Sequence, residues 1–136
     1  MNTIPQTMRA WRVEAITERG EMHPRDVEVP KPGPDLYLVR VEAAGMAFGD
    51  RLIVRGKYQA KPPLPFTPGS EVVGTVVAGE GGDIAIGTRI ASSSRQGGFA
   101  QHRTHVLAVV DRGIDGHDVR AFGAQRHACR VRQQRH

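Results

Sequence analysis

The chain has 136 residues with a hydrophobic fraction of 39% and a charged fraction of 24%, which predicts one globular domain and excludes a disordered chain. It contains no apolar run of the roughly 18 residues that a membrane span requires, no recognisable signal peptide and only one cysteine, Cys129, so we expect a cytoplasmic protein without a membrane span or disulfide. The net charge of +5 lies almost entirely in residues 112–136, so the nearly neutral remainder lacks the basic surface of a nucleic-acid-binding domain.

Short strands separated by turns make up most of the chain before residue 111. The runs alternate apolar and polar residues or are dense in β-branched ones, and segments rich in glycine or proline separate them. After a disordered N-terminus at residues 1–7, the predicted strands lie at residues 8–15, 26–29, 36–44, 71–78, 88–92 and within 99–110. This pattern predicts one mainly β domain over residues 8–111, built as a sandwich or a barrel.

One segment departs from the strand pattern. The apolar residues of 48–55 have helical spacing, which predicts a single short helix that ends at Gly56. Four prolines within residues 57–68 then predict an irregular loop, because proline fixes φ and lacks a backbone donor. In the strand that follows, Gly74 predicts a bulge or a close approach of two backbones.

The composition changes after residue 111. Residues 112–136 hold six arginines against two aspartates, and their sparse apolar residues follow neither the strand nor the helix period. We therefore expect an irregular basic tail, which a truncated or frame-shifted coding sequence would explain. Phe122 is its single aromatic residue and no recognition helix is apparent, so we do not predict nucleic-acid binding.

Two acidic residues at the joints of the central region are candidate site residues. Asp50 lies in the first turn of the predicted helix, where a carboxylate can accept backbone N–H groups and meet the positive helix end. Glu71 follows a tight turn at Gly69, and we expect both acids to be drawn inward. An ion-paired or capping role is expected for each of them in preference to direct catalysis, because nothing in the sequence sets their separation.

Two motifs identify a family that the chain resembles. The sequences AAGMAFGD at residues 43–50 and PFTPGSEVVG at residues 65–74 resemble the N-terminal catalytic domain of medium-chain dehydrogenases/reductases, and most of all their zinc-independent quinone oxidoreductase branch. The resemblance covers residues 9–110 and implies a GroES-like, partly open β-barrel. It also implies hydride transfer from NADPH to a quinone or another conjugated carbonyl such as an enone.

The resemblance also bears on cofactors. Zinc-dependent relatives carry a cysteine shortly after the glycine matching Gly45 and a histidine before the glutamate matching Glu71. Here these neighbourhoods contain Met46, Ala47 and Ser70, none of which is a competent zinc ligand, so we expect no metal site. Members of the family bind NADPH in a second, Rossmann-type domain, and no segment of this chain has its G-x-G-x-x-G fingerprint.

Two further positions take expected roles from the resemblance. Tyr58 matches a tyrosine near the nicotinamide, where its phenol could donate a hydrogen bond to a substrate carbonyl; simple packing of its ring on the proline-rich loop is equally expected. Ala47 stands where many quinone-reducing relatives carry asparagine, and it is expected to line the cofactor side of the cleft.

The site predicted from these residues is only one wall of a cleft. We therefore expect the chain to be the N-terminal catalytic part of a zinc-free NADPH-dependent quinone oxidoreductase, without a Rossmann domain and inactive alone. The alternative is a non-enzymatic GroES-like barrel that binds a partner chain, either a second copy or a protein that supplies the Rossmann domain.

Overall fold

The computed structural model describes residues 3–34, 36–79, 84–93, 96–105, 108–110 and 120–122. Within them the chain forms β1 (Thr7–Arg12), β2 (His23–Glu28), β3 (Tyr37–Gly45), α1 (Phe48–Ile53), β4 (Glu71–Gly79), β5 (Arg89–Ser93), β6 (His102–His105), β7 (Ala108–Val110) and β8 (Arg120–Phe122). This confirms the prediction of a mainly β domain with one short helix, as far as the described residues extend.

The strands pair antiparallel in two sheets. β1 and β2 form a two-stranded sheet, and the other strands form a six-stranded sheet in the order β6-β3-β4-β5-β7-β8. Backbone hydrogen bonds connect the sheets, since the Trp11 N–H donates to the Phe99 carbonyl at 2.9 Å and the Gln101 N–H donates to the Arg9 carbonyl at 3.2 Å. In the described part of the chain the strands do not close on themselves, in agreement with a partly open GroES-like domain.

Two hydrophobic clusters hold these elements together. The first lies on the large sheet, where Val39, Val76 and Ile90 are fully buried beside Tyr37. Complete burial of a valine or isoleucine side chain stabilises the folded state by roughly 1.5–3 kcal/mol before entropy losses.

The second cluster positions the helix. Ile53 and Val54 at the end of α1 pack against Val13 and Phe66. Val13 and Phe66 also exchange backbone hydrogen bonds of 2.8 and 3.2 Å. Because α1 spans only Phe48–Ile53, its position depends on this packing more than on helix propensity.

Close backbone approach at Gly74 is confirmed. A Cβ on this residue would collide with the carbonyl oxygen of Arg40 on the neighbouring strand. The pairing of β3 with β4 changes register between Val41 and Ala43, where Val41 pairs with Gly74. Glycine is therefore required for β3 and β4 to approach each other at this irregularity.

The remaining boundaries show smaller differences. The helix ends earlier than predicted, at Ile53 with Val54 as its C-cap, and Gly56 lies in the turn that follows, with φ +66° and its N–H donating to the Ile53 carbonyl at 2.9 Å. Within the expected irregular tail at residues 112–136, Arg120–Phe122 forms strand β8, and the rest of that segment lies outside the described residues. The described part contains no helix long and apolar enough to cross a membrane.

Candidate active site

Asp50 holds the junction between the end of β3 and the start of α1. Its side chain is buried, and Oδ2 accepts a hydrogen bond from the Ala47 backbone N–H at 2.8 Å and another from the Ser70 hydroxyl at 3.2 Å. Ala47, the residue preceding the helix, has no side-chain acceptor of its own. The carboxylate of Asp50 therefore joins three segments: the end of β3, the first turn of α1 and the loop before β4.

Glu71 does not share this burial, and the expectation that it is drawn inward is wrong. It is exposed at the start of β4, because the alternation of that strand directs Val72 and Val76 to the core and Glu71 to the opposite face. Glu71 pairs with Gly45, and its Oε2 would lie 3.3 Å from a Cβ on that glycine. Within the described structure Glu71 forms no ion pair, so the two acids have separate surroundings.

Tyr58 lies over the first turn of α1. A Cβ on Gly49 would be 3.7 Å from Tyr58 Cε2 and 4.0 Å from its hydroxyl oxygen, so the edge of the phenol ring faces the helix where it has no side chain. The side chain is 38% exposed. Met46 and Phe48, on either side of Ala47, are 72% and 74% exposed. We call the surface formed by Met46, Ala47, Phe48, Gly49 and Tyr58 the α1 edge.

An apolar groove adjoins the α1 edge. It has a volume of about 580 Å³, and Met46 belongs to both surfaces. Its lining is mainly apolar and includes Trp11, Met22, Val41, Ala44, Met46 and Phe99. The polar groups at this groove include Arg9, whose side chain pairs with Asp26, and Gln101, whose Oε1 accepts a hydrogen bond from the Arg9 N–H at 2.9 Å. Such a surface favours flat or apolar molecules over highly charged ones.

The sequence positions considered for zinc have other surroundings. Met46 is exposed at the α1 edge, and Ser70 donates its hydroxyl proton to Asp50. Among the described residues no group of three or more His, Cys, Asp or Glu side chains could hold a metal ion, and Cys129 lies outside them.

Burial lowers the pKa of His102 on β6, with a smaller contribution from the positive charge of Arg40.

Arg103 is a buried residue that the sequence reasoning missed. Only 2% of it is exposed, and its Nη1 lies 3.5 Å from the Ser70 carbonyl oxygen. Burial lowers the pKa of Arg103 to about 10, so its guanidinium remains charged at neutral pH. A strand with one solvent-facing side would alternate burial, yet His102 and Arg103 are both buried. Two adjacent polar residues in a predicted strand do not indicate burial by themselves. The burial of His102 and Arg103 becomes apparent only when the structure shows that both faces of β6 are covered.

The chain matches known proteins over most of its length. The profile of the alcohol dehydrogenase GroES-like domain matches residues 33–135. The synaptic vesicle membrane protein VAT-1 homolog of Mus musculus is 39% identical over 89 residues, which are 64% of this chain and 22% of that protein. The quinone oxidoreductase of Homo sapiens is 36% identical over 106 residues, which are 75% of this chain and 32% of that protein.

Comparison with solved structures finds similarity to the same kind of protein. The quinone oxidoreductase from Thermus thermophilus, whose complex with NADPH has also been determined, superposes with a TM-score of 0.59 and 33% sequence identity. The superposition covers 71% of this chain and 29% of that enzyme. The chain therefore spans about a fifth to a third of the length of these relatives.

Proposed function

This chain belongs to the alcohol dehydrogenase GroES-like domain family, and on that basis we propose that it forms the substrate side of a zinc-free, NADPH-dependent reductase of quinones or other conjugated carbonyls. The observation that supports this most is the position of Tyr58, whose hydroxyl lies beside Gly49 on an exposed apolar edge. Relatives named as quinone oxidoreductases, one of them solved with NADPH, supply the reaction class.

The α1 edge fits the flat ring of a nicotinamide or a quinone. The exposed side chains of Met46 and Phe48 offer apolar contact, and Gly49 places no side chain between the helix and Tyr58. NADPH, when bound, supplies the hydride. The domain's contribution is to bind the substrate, orient its carbonyl and exclude water from the reacting face.

Tyr58 is the residue that we propose to contact the substrate. A carbonyl oxygen gains negative charge as its conjugated system accepts hydride, and a phenol hydroxyl directed at that oxygen stabilises the charge. None of the described residues forms a hydrogen bond with the Tyr58 hydroxyl, so this hydroxyl is available to donate a hydrogen bond to a ligand. Asp50 is a positioning residue in this proposal, because it is buried and its Oδ2 accepts hydrogen bonds from Ala47 and Ser70.

The side chains at the positions where zinc-dependent relatives have metal ligands support a reaction without catalytic zinc. Catalytic zinc requires about three protein ligands from Cys, His, Asp or Glu. Met46 and Ala47 supply none of these side chains, and Ser70 uses its hydroxyl to bond Asp50. We therefore assign the stabilisation of the substrate oxygen to a hydrogen-bond donor of the protein.

The proposal is tested by giving the domain a dinucleotide-binding partner. The whole 136-residue chain, which keeps strand β8, is fused to the NADPH-binding part of the Thermus thermophilus enzyme, and oxidation of NADPH by a 1,4-naphthoquinone is followed by absorbance. We expect turnover, and Tyr58→Phe should lower kcat by about 100-fold, as loss of one oxyanion donor does.

A second tyrosine provides the control for this experiment. The Tyr37 hydroxyl accepts the Ile84 N–H at 3.3 Å within the core, so Tyr37→Phe should lower stability and leave kcat unchanged. A folded fusion that binds NADPH but does not reduce the quinone would exclude the function. Full kcat in Tyr58→Phe would exclude the role of Tyr58 alone.

A non-enzymatic binding module is the second candidate. The 72% and 74% exposure of Met46 and Phe48 favours it, because large apolar side chains exposed side by side are common at protein interfaces. Co-purification of the chain with a separate dinucleotide-binding protein, lost in Phe48→Ser, would support this candidate. If instead the chain is a monomer by itself and its fusion shows reductase activity, the enzymatic function is favoured.

A further inference from the structure

Ser70 contacts two buried residues of opposite charge. Its hydroxyl donates to Asp50 Oδ2 at 3.2 Å, and its carbonyl oxygen lies 3.5 Å from Arg103 Nη1. Asp50 and Arg103 are each only 2% exposed. The two charges thus lie on either side of one residue and are largely removed from solvent.

Each of these charged groups has further hydrogen-bonding capacity that no described residue uses. Within the described residues, Asp50 Oδ1 and the Nε and Nη2 atoms of Arg103 are buried without a hydrogen-bond partner. A buried charge without a partner is strongly unfavourable, because it has lost its hydration without gaining compensating contacts. Ser70 supplies part of the compensation for both groups, since its hydroxyl donates to Asp50 and its carbonyl oxygen lies beside the Arg103 guanidinium.

The loop that carries Ser70 is also fixed to the turn beneath Arg103. The Gly97 N–H donates to the Thr67 carbonyl and the Gly98 N–H to the Gly69 carbonyl, both at 2.8 Å. The aliphatic stem of Arg103 passes Gly97, since a Cβ on that glycine would lie 3.8 Å from Arg103 Cγ. A movement of Arg103 would therefore move the loop on which Ser70 lies.

We propose that Arg103 is coupled to Asp50 through Ser70 and is thereby a positioning residue for the α1 edge. Arg103 fixes the loop before β4, Ser70 fixes the Asp50 carboxylate, and that carboxylate holds the Ala47 N–H at the start of α1. The proposed function enters only in assigning this edge to substrate and cofactor. The coupling itself is a property of the folded domain.

A double-mutant cycle tests the coupling. Arg103→Met and Asp50→Asn should each lower Tm by about 5 °C or more, because each removes a buried group from the chain of contacts through Ser70. The double variant should lose clearly less than the sum of the single losses, since both substitutions break the same chain of contacts through Ser70. Arg9→Met, at an exposed ion pair on β1, should change Tm by no more than about 2 °C. Strictly additive losses would overturn the proposal.

Amide hydrogen exchange gives a readout that general destabilisation would not reproduce. In Arg103→Met the Ala47 amide should exchange at least about tenfold faster relative to the Val13 amide, which donates to Phe66 in the core. Arg103→Lys, which keeps the charge, should restore part of the protection. Equal acceleration at Ala47 and Val13 would overturn the proposal.

The design allows for a variant that does not fold. If Arg103→Met fails to fold, the same amide comparison is made in Ser70→Ala, which should release Ala47 selectively, and in Arg103→Lys, which should release it less than Ser70→Ala but more than the unchanged chain. No measurement here uses NADPH or a quinone. A negative result in these measurements therefore contradicts the coupling and does not bear on the proposed reaction. An inactive fusion would contradict the proposed reaction and would not bear on the coupling.

Discussion

The Ser70 hydroxyl donates a hydrogen bond to Asp50 Oδ2 at 3.2 Å, which connects the loop before β4 to the start of α1. The same carboxylate oxygen accepts the Ala47 N–H at 2.8 Å. Two of the positions that were considered for metal ligation, Ala47 and Ser70, thus participate in a hydrogen-bonded junction. This junction determines where Met46, Phe48 and Gly49 lie relative to Tyr58.

The two acidic candidates should differ sharply in their contributions to stability. Asp50→Ala removes a buried acceptor of two hydrogen bonds and should lower the free energy of unfolding by about 2 kcal/mol. Glu71→Ala changes an exposed side chain and should stay within about 0.5 kcal/mol. Urea denaturation of both variants measures the difference, and equal losses would contradict the assigned roles.

Gly74 should tolerate no side chain. Gly74→Ala brings a Cβ against the Arg40 carbonyl oxygen and should lower the free energy of unfolding by about 3 kcal/mol or more, since the paired strands must separate. Gly87→Ala is the control, because Gly87 has φ +92° but open space around it. It should cost only about 1 kcal/mol, from backbone strain. Thermal denaturation compares them, and a milder effect at Gly74 than at Gly87 would refute the close approach.

His102 should make stability depend on pH below neutrality. Burial and the nearby Arg40 lower the pKa of His102 from 6.5, so the unfolded chain takes up a proton at a pH where the folded chain does not. The stabilisation is complete above pH 6.5 and is lost as pH falls through the lowered value. His102→Asn should flatten this slope in denaturation measured from pH 7.5 downward. His23→Asn, on the exposed side of β2, should leave it unchanged.

Local sequence patterns predicted the elements that depend on residues close together in the sequence. The helical spacing after residue 48 predicts α1, although the helix ends at Ile53 and not at Gly56, and the prolines of residues 57–68 predict the loop that follows it. The valine-rich pattern of β4 likewise predicts its strand, and it contains the alternation that leaves Glu71 exposed. The error at Glu71 came from weighting the preceding turn at Gly69 above that alternation.

Long-range packing determined what the sequence could not predict. The burial of Arg103 depends on the pairing of β6 with β3 and on the turn at Gly97, neither of which leaves a local pattern. The role of the Ser70 hydroxyl depends on Asp50, twenty residues away in sequence. Strand β8 at Arg120–Phe122 also depends on its pairing with β7 in a segment with little apolar periodicity.

The purified 136-residue chain should bind NADPH only weakly. In the proposed function the α1 edge offers apolar contact to the nicotinamide, but the sequence has no glycine fingerprint to hold the pyrophosphate. Isothermal titration calorimetry should therefore show no saturable binding in the micromolar range. Micromolar affinity would place the phosphate site within this chain and would require a different account of the cofactor.

Shift mapping of a bound quinone tests the central claim most directly. Amide chemical shifts of the ¹⁵N-labelled chain are followed during titration with a water-soluble 1,4-naphthoquinone, with Gly87 and Val27 as positions away from the α1 edge. We predict that the largest changes occur at Ala47, Phe48, Gly49 and Tyr58, and that Tyr58→Phe weakens the binding. Saturable changes located elsewhere, or no change at the α1 edge at millimolar quinone, would contradict the assignment of this surface as the substrate wall.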